Sequence, residues 1–251
     1  MIRQARGMGM RSLAALMGAA CLGLAAAGAW ADGGAAADYT EGFEYQAIVP
    51  PGPLAGEGDG IEVAELFWYG CPHCYRFEPL LEAWLERKPG DVRFVRVAVP
   101  LNPHWEPHAR AWYSARLLGV AERTHRALFD AIHAERQRLA DREALAGFYA
   151  RHGADRDAFL RAFDSFAVHA KVRRAAALAR AWGVHSVPTM VVNGRYRVTG
   201  RMAGGLKEML AVVDHLIGLE RARLARERND AAGKTAAAAQ GGDRGAGGRA
   251  P

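Results

Sequence analysis

The spacing of apolar residues in the first half of the chain predicts a strand, a helix and a second strand. Ile61–Tyr69 is an almost continuous apolar run, as expected for a buried central strand. From Phe77 to Arg87 the apolar residues recur at helical spacing, and Lys88-Pro89-Gly90 ends that pattern. Val92–Val99 resumes a strand pattern, so the two strands should be parallel with a right-handed crossover. Tyr45–Val49 predicts a further short strand ahead of this unit.

The strand pattern disappears between Pro100 and Gly183. Five segments in this region place apolar residues at helical spacing, and glycines or acidic residues mark their ends. They are Ala109–Leu118, Ala121–Ala134, Asp141–His152, Asp155–Phe166 and Val168–Trp182. Helices enclosed by strand patterns predict a helical insertion over about residues 102–182.

Strand patterns return after Gly183. Thr189–Val192 and Tyr196–Thr199 flank Asn193-Gly194, the pair favoured in a two-residue type I′ hairpin turn. A last helix is predicted over Leu206–Glu220. The order of elements predicts an α/β protein with a thioredoxin-like fold and an inserted helical subdomain, covering residues 32–221.

Residues 1–31 have the pattern of a secretory signal peptide. Three arginines supply the positive start, Ser12–Ala31 carries no charge, and Ala29-Trp30-Ala31 is a small-residue cleavage pattern. A retained membrane anchor and a lipoprotein attached through Cys21 stay open as alternatives. The stretch is rich in Ala and Gly, however, which makes it a poor membrane span. We therefore predict that the leader is removed during export.

The carboxyl end, residues 222–251, is predicted to be disordered. From Asn229 to Pro251 the chain has no large apolar residue, so it cannot offset the entropy lost on ordering. The net charge of +6 belongs to this tail and to the leader, and the charges within residues 32–221 cancel. Without a basic stripe on the folded part, the sequence predicts no nucleic-acid partner.

After removal of the leader, Cys71 and Cys74 are the remaining cysteines. A bridge between them closes too small a loop to stabilise the fold appreciably. Cys71-Pro72-His73-Cys74 follows a predicted strand and opens a predicted helix, the setting of a redox motif. The helix start stabilises a thiolate on Cys71, Pro72 loses nothing there by lacking an N–H, and His73 adds positive charge. Stabilising the reduced thiolate makes the disulfide a stronger oxidant.

Half of a zinc site is the alternative interpretation of this motif. It would need further ligands at close spacing, and the chain has no second cysteine pair. Tyr75 follows Cys74, so the CxxCH pattern of haem attachment is absent too. We predict no metal and no cofactor. The remaining histidines of the helical regions lack metal spacing and are expected at the surface: His104, His108, His125, His133, His152, His169 and His215.

Residues Phe67–Glu78 (FWYGCPHCYRFE) resemble the active-site segment of the DsbA family. The helical insertion and Gly183–Thr189 (GVHSVPT) match the same family, and the resemblance covers about residues 39–220. It implies a monomeric, periplasmic thiol:disulfide interchange enzyme that donates its Cys71–Cys74 disulfide to newly exported proteins. The donation would pass through a mixed disulfide at Cys71. The resemblance also implies reoxidation by a quinone-linked membrane partner of the DsbB type.

The same resemblance implies roles for three further residues. Val187-Pro188 should be a cis peptide facing the disulfide, with the Val187 backbone free to pair with an extended substrate. Glu65 matches the family's buried acidic residue beneath the disulfide. Strand alternation places it on the apolar face of its strand, where burial would raise its pKa. A trans proline and a Glu that reaches solvent are the alternatives.

Other functions of the same scaffold stay open. A disulfide isomerase of this type needs a dimerisation domain, for which residues 32–60 are too few. A glutathione-dependent isomerase tends to lack the second cysteine, so Cys74 argues against it. A chaperone that binds substrates in an apolar groove would keep its activity in a Cys71→Ser variant.

Overall fold

The computed structural model describes residues 39–241, with side-chain environments as far as residue 235. The predicted signal peptide, residues 1–31, and the last part of the predicted tail, residues 242–251, lie outside the described residues. Within the described part, no helix is long and apolar enough to cross a membrane.

A five-stranded mixed sheet in the order β1-β5-β4-β2-β3 forms the centre of the fold. β2 (Ile61–Phe67) pairs in parallel with β3 (Val92–Ala98), which is one edge of the sheet. On its other side β2 pairs antiparallel with β4 (Thr189–Val192), and β5 (Tyr196–Thr199) and β1 (Gln46–Ala47) follow. The parallel pair and the β4–β5 hairpin agree with the sequence prediction.

The hairpin turn has the geometry that its sequence requires. Asn193 and Gly194 have φ angles of +51° and +63°. A type I′ turn needs positive φ at both central residues, and Asn and Gly adopt it with least strain.

In residues 39–241, eight α-helices surround the sheet. Five of them, α2 to α6, form the predicted insertion between β3 and β4, and a 3-10 turn at Pro103–Trp105 precedes them. The helices are α1 (Pro72–Arg87), α2 (Glu106–Leu117), α3 (Ala121–His133), α4 (Arg142–Arg151), α5 (Arg156–Phe163), α6 (Phe166–Ala181), α7 (Gly200–Ala203) and α8 (Leu206–Gly241).

Three apolar clusters hold these layers together. One face of the sheet packs on α1 and α8, with Phe77 at its centre, and the other face packs on α6 through Leu178. The third cluster fills the insertion around Phe129 and also contains Tyr69 and both cysteines. Each fully buried side chain of this size contributes about 1.5–3 kcal/mol. The insertion therefore packs directly against the Cys-Pro-His-Cys segment.

β2 is buried along its whole length, because helices cover both faces of the sheet at this strand. Its buried positions include two carboxylates, Glu62 and Glu65. Burial of Glu65 agrees with the strand-face argument from the sequence.

The last helix differs from the sequence prediction. α8 continues to Gly241, whereas apolar spacing placed its end at Glu220 and composition predicted disorder from residue 222. Leu224 still packs on the core, and Arg223 forms ion pairs with Glu220 and Glu227 along the helix. Alanine and such spaced charge pairs favour helix without tertiary burial, so an apolar pattern misses this extension.

Candidate active site

Cys71 lies at the start of α1, immediately after the turn that follows β2. It is the N-cap residue with extended backbone angles, and Pro72 occupies the first helical position. The Cys71 N–H donates to the Trp68 carbonyl at 3.0 Å, and the Cys71 carbonyl accepts from the Tyr75 N–H at 3.1 Å. These bonds fix Cys71 where the unpaired N–H groups of the first helical turn point at its sulfur.

Gly70 makes the approach to this turn possible. A Cβ on Gly70 would overlap the indole of Trp68, which stacks on Trp105 with ring centroids 4.4 Å apart. Any larger residue would have to displace the stacked pair. The glycine therefore fixes the position of Cys71 relative to the insertion, which carries Trp105.

The two thiols are free in the structure, which thus represents the reduced form, and they differ in exposure. Cys71 is 8% exposed and Cys74 is fully buried. A molecule approaching from solvent meets the Cys71 sulfur first.

The surroundings of Cys71 stabilise its thiolate. A hydrogen bond from the Cys74 thiol is the largest contribution, and together with backbone N–H groups of Cys74 and His73 and the charge of His73 it outweighs the effect of burial. The pKa of Cys71 falls to about 6. His73 is exposed, and its Nδ1 lies 2.9 Å from Nη2 of Arg76.

The surroundings of Cys74 have the opposite effect. Burial raises the pKa of Cys74 well above its usual range, and the neighbouring Cys71 and Glu65 raise it further. At neutral pH the pair therefore consists of one thiolate, on Cys71, and one thiol, on Cys74.

The Val187-Pro188 peptide is cis and lies beside this pair. The Cys71 sulfur lies 3.5 Å from the Val187 carbonyl oxygen. Pro188 is buried, and Thr189, which begins β4, donates its hydroxyl to the Ser186 carbonyl at 2.7 Å. The loop before β4 is thus held against the sulfur by the strand that follows it.

A buried charge cluster lies beneath the thiols. Arg96 on β3 places Nε 3.3 Å from Glu65 Oε2 and Nη2 3.2 Å from Glu78 Oε2. Both carboxyl groups are fully buried. One buried cation cannot balance two carboxylates, so one of them must hold a proton near neutral pH.

Hydrogen bonding decides which carboxyl group is protonated. Burial alone would raise the pKa of Glu78, but hydrogen bonds from His125 and Arg96 and the charge of Arg96 lower it below its usual value. Glu65 has no hydrogen bond of good geometry to either oxygen. Burial, reinforced by the charge of Glu78, raises the pKa of Glu65 to about 8. Glu65 therefore holds the proton at neutral pH.

His125 extends the cluster into the helical insertion. Its Nε2 lies 3.1 Å from Glu78 Oε1, and its Nδ1 lies 2.9 Å from the Tyr69 hydroxyl. Burial lowers the pKa of His125 although Glu78 opposes that effect, so the ring is neutral. The neutral ring donates from Nε2 to Glu78 and accepts at Nδ1 from Tyr69.

The sequence prediction of surface histidines is wrong for His108 and His125, which are both buried. His108 Nε2 lies 2.6 Å from the Leu139 carbonyl, within the insertion. His125 shares a face of α3 with Ala121 and Leu128, and that face packs against the residues around Tyr69. A histidine on an apolar helix face is buried when the face meets a polar partner, and here Glu78 supplies one.

The sequence prediction also missed Glu78 and Arg96. Glu78 lies on the buried face of α1 beside Phe77 and Leu81, so its position in the helical pattern was a usable signal. Arg96 occupies an edge strand, where a charged residue is common, and its sequence position alone gave no such signal. No cluster of three or more metal-ligating side chains was found in residues 39–241.

The chain matches the family model of the DSBA-like thioredoxin domain over residues 62–216. It is 45% identical over 185 residues to the thiol:disulfide interchange protein DsbA of Pseudomonas aeruginosa, covering 74% of this chain and 87% of the relative. The chain belongs to the DsbA family. The DsbA of Azotobacter vinelandii is 44% identical over 214 residues, covering 84% of this chain and 99% of the relative.

A solved structure agrees with this assignment to the DsbA family. The crystal structure of Pseudomonas aeruginosa DsbA superposes with a TM-score of 0.71 at 44% identity, covering 74% of this chain and 97% of that chain. The predicted thioredoxin-like fold with a helical insertion, and the predicted class of thiol–disulfide oxidoreductase, are thereby confirmed.

Proposed function

We propose that this member of the DsbA family donates its Cys71–Cys74 disulfide to newly exported proteins in the periplasm. The observation that carries the proposal is the asymmetry of the pair. The outer sulfur is 8% exposed with a pKa of about 6, whereas the inner sulfur is buried with a raised pKa. Such a pair releases the outer thiolate readily and presents a single sulfur to substrates.

The reaction begins when a substrate thiolate attacks the Cys71 sulfur of the oxidised enzyme. The bond between the two enzyme sulfurs breaks, a mixed disulfide forms at Cys71, and Cys74 leaves with the electron pair. Cys74 then takes a proton, and the protonated carboxyl of Glu65 is the nearby group that supplies it. A second substrate thiolate attacks the substrate sulfur of the mixed disulfide and expels Cys71 as a thiolate. The substrate has lost two electrons to the enzyme.

Pro72, His73, Val187 and Pro188 serve this exchange without taking part in bond changes. Pro72 opens the helix whose N–H groups face Cys71, and His73 adds charge at its start. The contact between Cys71 and the Val187 carbonyl supports a role for Val187 in binding the substrate backbone beside the reacting sulfur. Pro188 keeps the next backbone position free of an N–H that would compete for the same acceptors.

The reduced enzyme must return two electrons to an acceptor before the next turnover. A quinone-linked membrane protein of the DsbB type is the proposed acceptor, reached through the same exposed sulfur. Residues 1–31 are the proposed signal peptide that brings the chain to this compartment as a soluble monomer, and neither a metal nor a bound cofactor is required.

A redox titration of the full mature protein in glutathione buffers tests the proposed direction. Lowering the pKa of Cys71 from about 8.5 to about 6 makes the disulfide more oxidising at pH 7 by roughly 30 mV. We expect a potential well above that of a reducing thioredoxin, and loss of substrate oxidation in Cys71→Ser. A thioredoxin-like reducing potential would refute disulfide donation and leave a reductase.

A further inference from the structure

A cavity of about 450 Å³ lies along the outer edge of β3, on a part of the molecule that the redox reaction does not use. Its walls come from β3, from α2 and α6 of the insertion, and from the loop at residues 55–57. It shares Arg96 with the buried charge cluster and contains neither cysteine. The residues that the argument uses are Arg93, Phe94, Arg96, Arg116, Lys171 and Arg174.

The floor of this cavity is an unpaired strand edge. Val99 donates to the Phe67 carbonyl and Asp91 accepts from the Ile61 N–H, so the odd-numbered residues of β3 bond to β2. The backbone groups of Phe94 and Arg96 must then face away from β2. Within residues 39–241 no hydrogen bond to these groups is present.

Both ends of that edge are closed by side chains. The Lys88 ammonium donates to the Val92 carbonyl at 2.8 Å. At the other end, the hydroxyl of Tyr113 lies near the Ala98 backbone. The open stretch between them is therefore short, and it matches a peptide strand of three or four residues.

The cavity is strongly basic. Five cationic side chains line it, and Glu57 is the acidic residue among its lining. Arg93 and Arg96 are neutralised from behind by buried carboxylates, and Arg116 is only 3.7 Å from the exposed Glu122. Arg174 donates to two backbone carbonyls, and Lys171 forms no ion pair within the described residues. Positive charge is therefore in excess on the α6 side.

Arg93 is only partly satisfied by its neighbours. Its Nη1 pairs with Glu62 at 2.7 Å, but its Nε and Nη2 are buried and donate to no acceptor among the described residues. A buried N–H without an acceptor is unfavourable by about 1–3 kcal/mol. These buried donors cannot be reached from the cavity. The exposed cations Arg116 and Lys171, and not Arg93, therefore favour an anionic ligand.

We propose that this cavity binds an acidic polypeptide segment that adds as a strand to the outer edge of β3. The backbone of the segment pairs with Phe94 and Arg96, and carboxylates at alternate positions meet Arg116 and Lys171. This binding goes beyond the proposed redox function, because it needs no thiol in the ligand. It gives the enzyme a second contact with a partner whose cysteines are elsewhere in its chain.

The test uses a synthetic, cysteine-free peptide that alternates valine and glutamate, titrated into the intact mature protein by calorimetry. Amide chemical shifts of Phe94 and Arg96 are followed by NMR in the same titration. We expect saturable binding that weakens with salt, and the largest shifts at those two amides. A matched peptide with glutamine in place of glutamate should bind about tenfold more weakly. Methylation of alternate backbone nitrogens should abolish binding.

Charge reversal on the protein separates the site from general electrostatics. Lys171→Glu and Arg116→Glu, both at exposed positions, should together weaken the acidic peptide by about tenfold or more. Arg180→Glu makes the same change at an exposed position of α6 outside the cavity and should leave affinity nearly unchanged. Cys71→Ser should bind the peptide as the unmodified protein does, whatever the outcome of the redox titration.

Three results would overturn the proposal. The first is equal weakening by Arg180→Glu, which would mean that only net charge matters. The second is binding of inorganic polyphosphate with the same shifts and greater affinity, which would make the cavity an anion site without a strand. The third is the absence of saturable binding, which would leave the basic residues as protection for the edge.

Discussion

Two buried carboxylates in this protein show how differently the fold treats the same group. Glu65 beneath the cysteines and Glu220 on α8 are both fully inaccessible to solvent. Glu220 accepts from Asn193 at 2.7 Å and from Arg223 at 2.8 Å, with Arg195 Nε at 3.5 Å. Glu65 shares one arginine with another carboxylate and has no hydrogen bond of good geometry. The carboxylate of Glu220 is fully hydrogen-bonded and stabilises the fold, whereas the carboxyl group of Glu65 can still exchange a proton.

The difference between these two carboxyl groups shows where the fold tolerates a poorly paired buried acid. The Glu220 carboxylate has two cations and an amide beside it, and this pairing stabilises the fold. The Glu65 carboxyl shares one arginine with a second carboxylate and lies near a buried thiol, so its ionised form is unfavourable and it gains and loses a proton near neutral pH. The unfavourable arrangement lies at the reacting sulfurs.

The largest change in stability is expected when Glu220, the fully hydrogen-bonded carboxylate, is replaced. Glu220→Gln should destabilise the protein by about 3 kcal/mol, because it leaves Arg195 and Arg223 close together without their anion. Urea denaturation at neutral pH measures this loss. Arg201→Gln, at an exposed position of α7, is the control and should change stability by less than about 0.5 kcal/mol. A neutral outcome for Glu220→Gln would remove the contrast between the two sites.

Substitution of Glu65 should change the stability of the protein in the opposite direction. The folded protein raises the pKa of Glu65 to about 8 from its ordinary value near 4.3, so stability is full below about pH 4 and falls as pH rises towards 8. Glu65→Gln removes this titration, so it should stabilise the protein at pH 8 and change its stability little at pH 4. Urea denaturation across that range measures it. Destabilisation at pH 8 would mean that Glu65 is ionised and paired after all.

The same substitution should slow the exchange reaction if Glu65 supplies the proton to Cys74. We expect the rate of substrate oxidation by Glu65→Gln to lose its pH dependence near pH 8 while the pKa of Cys71 stays near 6. Stopped-flow measurement of mixed-disulfide formation and resolution separates the two steps. An unchanged pH profile would leave Glu65 with a purely structural effect.

A smaller effect follows from the outer thiol. The folded state lowers the pKa of Cys71 from about 8.5 to about 6, so its contribution is full above pH 8.5 and is lost as pH falls through 6. At pH 7 the reduced protein should gain about 1.4 kcal/mol from this thiolate relative to an unperturbed thiol. Thermal unfolding of reduced and oxidised protein measures the gain between about pH 5 and pH 9, a range that includes both pKa values. A difference independent of pH would contradict the assignment.

The smallest effect is expected from His73. Its charge is the last of the causes that lower the pKa of Cys71, behind the hydrogen bond from Cys74 and the backbone donors. His73→Gln should therefore raise the pKa of Cys71 by less than about one pH unit, which corresponds to about 1 kcal/mol of thiolate stabilisation. Ultraviolet absorbance of the thiolate gives the titration. A rise to the value of a free thiol would mean that His73, and not the helix start, sustains the thiolate.

The sequence predicted the fold well where signals were local. The apolar run of β2, the Asn193-Gly194 turn and the helix opened by Pro72 each depend on neighbours along the chain, and the structure contains all three. The same local signal identified the two cysteines, whereas the role of the Val187-Pro188 segment was inferred from the resemblance to the DsbA family. Helix ends were less certain, and the extension of α8 to Gly241 was not predicted.

The buried cluster could not be assembled from local signals, because its members come from separate elements. Glu65, Glu78 and Arg96 lie on β2, α1 and β3, and His125 lies in the insertion. Glu65 and Glu78 occupy positions that the sequence indicates as buried, whereas Arg96 and His125 do not. Only the packing of α3 against the start of α1 brings His125 to Glu78. The charge balance that protonates Glu65 depends on that three-dimensional count of cations and carboxylates.

The order in which the site is built along the chain has a consequence for biosynthesis. The outer cysteine and the carbonyl that it contacts are separated by 116 residues, and the whole insertion lies between them. During the proposed export, which delivers the amino end first, both sulfurs reach the oxidising compartment before the segment that closes the catalytic face. Until that segment arrives, the enzyme's own thiols are as open to mispairing as those of any immature client.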